Sequence, residues 1–145
     1  MFRGNHPTRV DEKGRLKVPS EFKRRVDEVY GPQFFITSKD GKRAEIYPMK
    51  EWEKIEDAIS KLPASAAKRK LLDTTNYYGQ AVEMDGQGRL LIPQLLREGA
   101  ELVGDVAVLG QQTYLAVVND SKHRAAIDAN PLTDAEIETL GIVGL

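Results

Sequence analysis

The chain has 145 residues, 41% of them hydrophobic and 30% charged, with no cysteine and a formal net charge of −1. That length allows one compact domain or two small interlocked ones, and the lack of thiols excludes a disulfide framework, a thiolate metal site and a cysteine nucleophile. The near-neutral total hides an asymmetry that would draw a polyanion to the first half: residues 1–75 carry 17 Lys and Arg against 12 Asp and Glu, a net of +5, and residues 76–145 carry 4 against 10, a net of −6.

Met1–Pro7 has no apolar signal-peptide core, and no apolar stretch nears the roughly 20 residues that cross a bilayer; a cytoplasmic protein is expected. Thr8-Arg9-Val10 is strand-like and leads into Asp11-Glu12-Lys13-Gly14-Arg15-Leu16-Lys17-Val18-Pro19. Proline suits the first turn of a helix, where its missing N–H costs nothing. A helix is therefore predicted over Ser20–Val29, with Phe22, Val26 and Val29 on one face. Tyr30-Gly31-Pro32 turns the chain into a β-rich run, Phe34–Thr37, and Asp40-Gly41 turns it again into Ala44–Tyr47, a hairpin. Pro48 opens a helix whose apolar stripe is Trp52, Ile55, Ile59 and Leu62. Pro63 ends it, and Ala64–Leu72 reads as a second, basic helix.

The pattern then starts again. Gln80–Met84 is strand-like and leads into Asp85-Gly86-Gln87-Gly88-Arg89-Leu90-Leu91-Ile92-Pro93. Asp, Gly, Arg, Leu and Pro match the first segment at an offset of 74 residues, and Ile92 replaces Val18. A helix over Gln94–Ala100, a turn at Gly104-Asp105, and the strands Val106–Leu109 and Tyr114–Val118 follow, with Gly110-Gln111-Gln112 between the strands. A weaker closing helix is expected around Ser121–Asp128, and Thr133-Asp134-Ala135-Glu136 is a capping box for a last helix toward Leu140.

Each unit thus reads strand–turn–strand–helix–hairpin–helix. Neither half buries much core alone, and exchange of strands between halves would close a small barrel and remove exposed edges. The expected fold is α+β, one pseudo-twofold β-barrel with flanking helices. Its expected parts are a first repeat at 1–62, a helical connector at 63–75, a second repeat at 76–130 and a tail at 131–145.

An Asp followed three residues later by Gly is an ordinary tight turn, the carboxylate accepting backbone N–H bonds. Arginine in the next position, repeated, adds chemistry. Arg15 and Arg89 should project from equivalent places, and a guanidinium binds phosphate or the O6/N7 edge of guanine in bidentate fashion. The other reading is structural: each arginine pairs with Asp11 or Asp85 and locks its turn. Two arginines related by a pseudo-twofold suit a twofold-related duplex, which favours recognition.

The doubled Asp-x-x-Gly-Arg-Leu-x-Val/Ile-Pro motif and the opening Met1-Phe2-Arg3-Gly4 closely resemble the bacterial MraZ family, within the SpoVT/AbrB-like group of swapped-hairpin transcription factors. The resemblance runs from Met1 to about Val118, and the doubled motif is highly specific. It implies two tandem SpoVT/AbrB-like repeats and a ring-shaped homo-oligomer in the nucleoid. That ring would bind direct repeats in double-stranded DNA upstream of the cell-division and cell-wall gene cluster, controlling its own operon. Carried over, the motif falls on Asp11, Gly14 and Arg15, and on Asp85, Gly88 and Arg89. Arg3, Arg9, Lys13 and Lys17 fit a DNA-facing first copy. The second copy has Gly86, Gln87 and Leu91 where the first has Glu12, Lys13 and Lys17, so the first is expected to dominate affinity.

His6 and His123 are too far apart in sequence to suggest a metal pair, no glycine-rich phosphate loop is present, and Ser20 and Ser38 lack a nucleophile context. No enzymatic activity, cofactor, metal or small-molecule substrate is expected. Of Tyr77-Tyr78, one should pack and the other lie on the surface; Lys68-Arg69-Lys70 reads as a solvated face, and Trp52 as core or subunit contact. The competing class is a protein-interaction module that assembles a ring or inhibits a partner without touching DNA.

Overall fold

The computed structural model describes all residues from Met1 to Leu145. The first repeat runs β1 (Asn5–Val10), β2 (Arg15–Lys17), α1 (Ser20–Val29), β3 (Gln33–Thr37), β4 (Ala44–Pro48) and α2 (Met49–Ser60). Helix α3 (Ala66–Tyr77) connects it to β5 (Gln80–Glu83), β6 (Arg89–Leu91), α4 (Gln94–Gly99), β7 (Gly104–Gln111), β8 (Tyr114–Val118) and α5 (Asp120–Ala129), and α6 (Asp134–Leu140) ends the chain.

The eight strands form one antiparallel sheet in the order β5-β3-β4-β8-β7-β1-β2-β6, a nearly closed barrel. Its ends approach at the β5–β6 turn, where the Asp85 N–H donates to the Arg89 carbonyl at 3.0 Å. The repeats exchange strands. β1 pairs with β7 of the other half, Thr8 opposite Val106, and β5 pairs with β3 of the first half, Val82 opposite Phe34. The two short strands β2 and β6 pair with each other on the pseudo-twofold, Leu16 opposite Leu90. The fold class is the expected one: α+β, with two repeats forming a single swapped barrel and helices outside it.

The motif residues divide by face. Leu16, Leu90 and Ile92 are 0% exposed and Val18 is 1% exposed; they join Phe22, Val26, Phe34, Ile36, Leu96 and Val108 in the core. Truncating a fully enclosed leucine such as Leu90 to alanine costs about 2–5 kcal/mol. Outside the barrel a second, aromatic cluster pins α2 to β3 and β4. Trp52 stacks on Phe35 at 4.7 Å between centroids, and Tyr47 stacks on Tyr114 at 4.5 Å. The buried Glu45 carboxylate lies beside it, paired with Lys39 at 2.7 Å and Arg43 at 3.0 Å.

The helices near the connector differ from the expected bounds. α2 stops at Ser60 rather than Leu62, and α3 runs from Ala66 to Tyr77 rather than over Ala64–Leu72. Ser65 caps α3 by accepting the Lys68 N–H at 3.0 Å. Gly79 follows its end, where a side chain would come within 2.3 Å of the Phe35 ring. Tyr78 packs half-buried against the core while Tyr77 stays 67% exposed. Helices α5 and α6 bury no residue, and no helix is long and apolar enough to cross a membrane.

Candidate nucleic-acid interface

Each motif turn is held by its aspartate. Asp11 Oδ1 accepts the backbone N–H of Lys13 at 3.0 Å and of Arg15 at 2.9 Å, while Asp11 Oδ2 accepts Arg15 Nε at 2.9 Å. In the second repeat Asp85 Oδ1 accepts the N–H of Gln87 and of Arg89, both at 2.9 Å, and Asp85 Oδ2 accepts Arg89 Nε at 2.9 Å. The backbone N–H of Arg15 is the largest influence holding the Asp11 carboxyl below its ordinary value, with the Arg15 guanidinium adding to it. The backbone N–H of Arg89 does the same for Asp85. The structural reading of the arginines is thus realised: each locks its own turn.

That clamp occupies only Nε. No hydrogen bond in the structure uses an Nη atom of Arg15 or Arg89. Their side chains are 31% and 26% exposed, so both Nη groups remain available to an acceptor outside the chain. A guanidinium fixed at one edge keeps the planar fork that matches phosphate or guanine.

The glycines let the two turns interlock. Gly14 and Gly88 have φ of +82° and +75°, the left-handed region that L side chains rarely adopt. Each turn also bonds the other repeat: the Val18 N–H donates to the Gly88 carbonyl and the Ile92 N–H to the Gly14 carbonyl, both at 2.9 Å. Side chains cross over as well. Lys17 Nζ donates to the Gln87 carbonyl of the opposite turn.

Alternation along the β2–β6 ribbon sends Leu16 and Leu90 inward and Arg15, Lys17, Arg89 and Leu91 outward. Arg15 lies directly opposite Leu91, and Lys17 opposite Arg89. Lys13, on the first turn, is exposed, and its ammonium has no partner. Arg9 faces outward from β1 but is engaged by the cross-strand Asp105 at 3.0 Å. Arg3 is not part of this face. Phe2 bridges Gln112 at the far end of the β1–β7 pair, which puts Arg3 roughly 20 Å or more from the turn at about 3.3 Å per residue.

Two cations that sequence reasoning passed over belong here. Arg97 of α4 donates from Nε to the Ile92 carbonyl at 2.9 Å and lies against Gly14. Lys23 of α1, at the same 74-residue offset, lies against Gly88 and pairs with Asp27 at 2.7 Å. The offset itself was the available signal; an isolated cation on a short helix otherwise reads as a solvated face.

A family model described as "MraZ protein, putative antitoxin-like" matches residues 1–75 and 79–140. Among curated relatives, the transcriptional regulator MraZ of Acidobacterium capsulatum is 60% identical over 146 residues, covering 100% of both chains. Those of Koribacter versatilis and Acetivibrio thermocellus are 51% and 33% identical, each over 147 residues and again covering 100% of both chains. With two family matches over most of its length and full-length relatives at this identity, the chain belongs to the MraZ family.

Proposed function

We propose that this chain is a transcriptional regulator that binds double-stranded DNA through the outward face of the β2–β6 ribbon and the two turns flanking it. The observation that carries this reading is the symmetric pair Arg15 and Arg89, each clamped at Nε and unpartnered at Nη. A two-stranded ribbon fits the major groove, where guanidinium groups reach guanine edges. Lys13 and Lys17 add phosphate contacts, and Arg9 joins when phosphate displaces Asp105. Arg3, at the other end of β1, is left out of the contact face. The proposal has no catalytic component and needs no cofactor.

The operator is proposed to be a set of direct repeats upstream of the cell-division and cell-wall gene cluster, so that the protein controls its own operon from the nucleoid. One ribbon offers a small contact, and a ring-shaped homo-oligomer would set several ribbons on tandem repeats at once. Linked sites raise the effective concentration of each next contact.

A gel shift on DNA from upstream of the chain's own gene tests the reading. Binding should fall steeply with salt, because phosphate contacts release counterions. Removing operator repeats should weaken binding out of proportion to their number; a linear fall per repeat contradicts the linked-site account, and no binding at low salt contradicts DNA recognition.

A further inference from the structure

One outward residue of the ribbon is not cationic. Leu91 is 49% exposed and stands where the first repeat has Lys17. A solitary exposed leucine is ordinary on a protein surface; the position of this one is what matters. It is directly opposite Arg15 in the register, and its strand neighbour on the same face is Arg89. Side chains directly opposite in an antiparallel pair have Cβ atoms about 5 Å apart, so a surface that meets Arg15 also meets Leu91.

We propose that Leu91 is a specificity-determining residue that packs on a thymine methyl group beside the base contacted by Arg15. The inference rests on the DNA-binding reading above. Against phosphate, a leucine would be desolvated with nothing returned. The major-groove edge of thymine, by contrast, presents a methyl group, and apolar side chains read it. The same position in the first repeat, Lys17, has an ammonium able to reach phosphate. The pseudo-twofold ribbon therefore reads its site asymmetrically, with an apolar reader on one side and a cation on the other, which gives each subunit a direction on the DNA. Such direction suits direct rather than inverted repeats.

The test uses the full-length chain and a fragment from upstream of its own gene, amplified with either dTTP or dUTP, since deoxyuridine lacks only the C5 methyl. Wild type should bind the thymidine fragment more tightly, by about fourfold for each methyl group that a leucine covers. Leu91→Ala should lose a similar factor on the thymidine fragment and bind both fragments equally, with circular dichroism and sizing unchanged. Leu91→Lys, which places the first-repeat residue in the second, should also cease to discriminate, and its binding should depend more steeply on salt. Equal binding of both fragments by wild type, or full discrimination retained by either variant, overturns the proposal while leaving DNA recognition standing. Failure of wild type to bind either fragment overturns both.

Discussion

Arg97 closes over Gly14: its guanidinium carbon lies 2.5 Å from where a Cβ on residue 14 would stand. The two residues come from different repeats, so the contact couples the motif turn of one half to the helix of the other.

Gly14→Ala must therefore expel Arg97, lose its bond to the Ile92 carbonyl and hold alanine at a left-handed φ. Gly88→Ala faces the same backbone strain but meets only the aliphatic Lys23 Cδ at 3.0 Å. Strain at such a φ costs about 1–3 kcal/mol. Thermal melts should show both variants destabilised and Gly14→Ala the more so; equal losses would show that Arg97 adds nothing to the turn.

Much of the fold is legible in the sequence. The 74-residue repeat makes Arg15 and Arg89 equivalent, and proline and glycine mark nearly every element boundary. Strand partners are not legible. β1 and β5 are four to six residues long, and alternation in so short a strand says which face is inside, not which strand lies beside it. Hence the pairing of Thr8 with Val106 and of Val82 with Phe34 emerges only from the structure. The same limit hides the juxtaposition of Arg15 with Leu91, and it makes Arg3 look like a neighbour of Lys13 when the length of β1 separates them. The Arg15–Asp11 clamp reads in the sequence as an alternative to recognition; in the structure the clamp leaves Nη open, so one side chain can serve both purposes.

Arg15→Ala and Arg89→Ala should both weaken binding to upstream DNA, each by about 1–3 kcal/mol if the contact is bidentate to guanine. The loss should be greater for Arg15, whose turn also carries Lys13 where the second has Gln87. Sizing and circular dichroism separate this from unfolding. Equal losses would contradict the ranking of the two turns.

Acid should loosen the turns. The folded pKa values of Asp11 and Asp85 lie below the ordinary aspartate value of 3.8. That of Glu51 lies below 4.5, chiefly through its bond from the Lys54 ammonium and then from the Tyr30 hydroxyl. Carboxylates with lowered values add stability that is complete above the unfolded value and lost as pH falls through the folded one. The melting temperature should be flat from about pH 7 to about pH 5 and fall below about pH 4. Asp11→Asn should reduce that acid-side fall; an unchanged profile would count against the clamp.

Removing residues 131–145 should leave the barrel's stability within about 1 kcal/mol of the full chain, because α6 buries nothing and its capping box is internal to that segment. A cooperative melt at a similar temperature is the expected result, and loss of folding would show that the tail packs on the barrel.

Arg15 is proposed to grip DNA with the Nη groups that Asp11, bound to Nε, leaves free. The most direct measurement is the affinity of wild type and Arg15→Ala for the upstream fragment at two salt concentrations, both proteins shown to be folded and alike in size. Specific binding by wild type that weakens steeply with salt, and that is weaker by about 1–3 kcal/mol in Arg15→Ala, is the predicted result; undiminished binding by folded Arg15→Ala would contradict it.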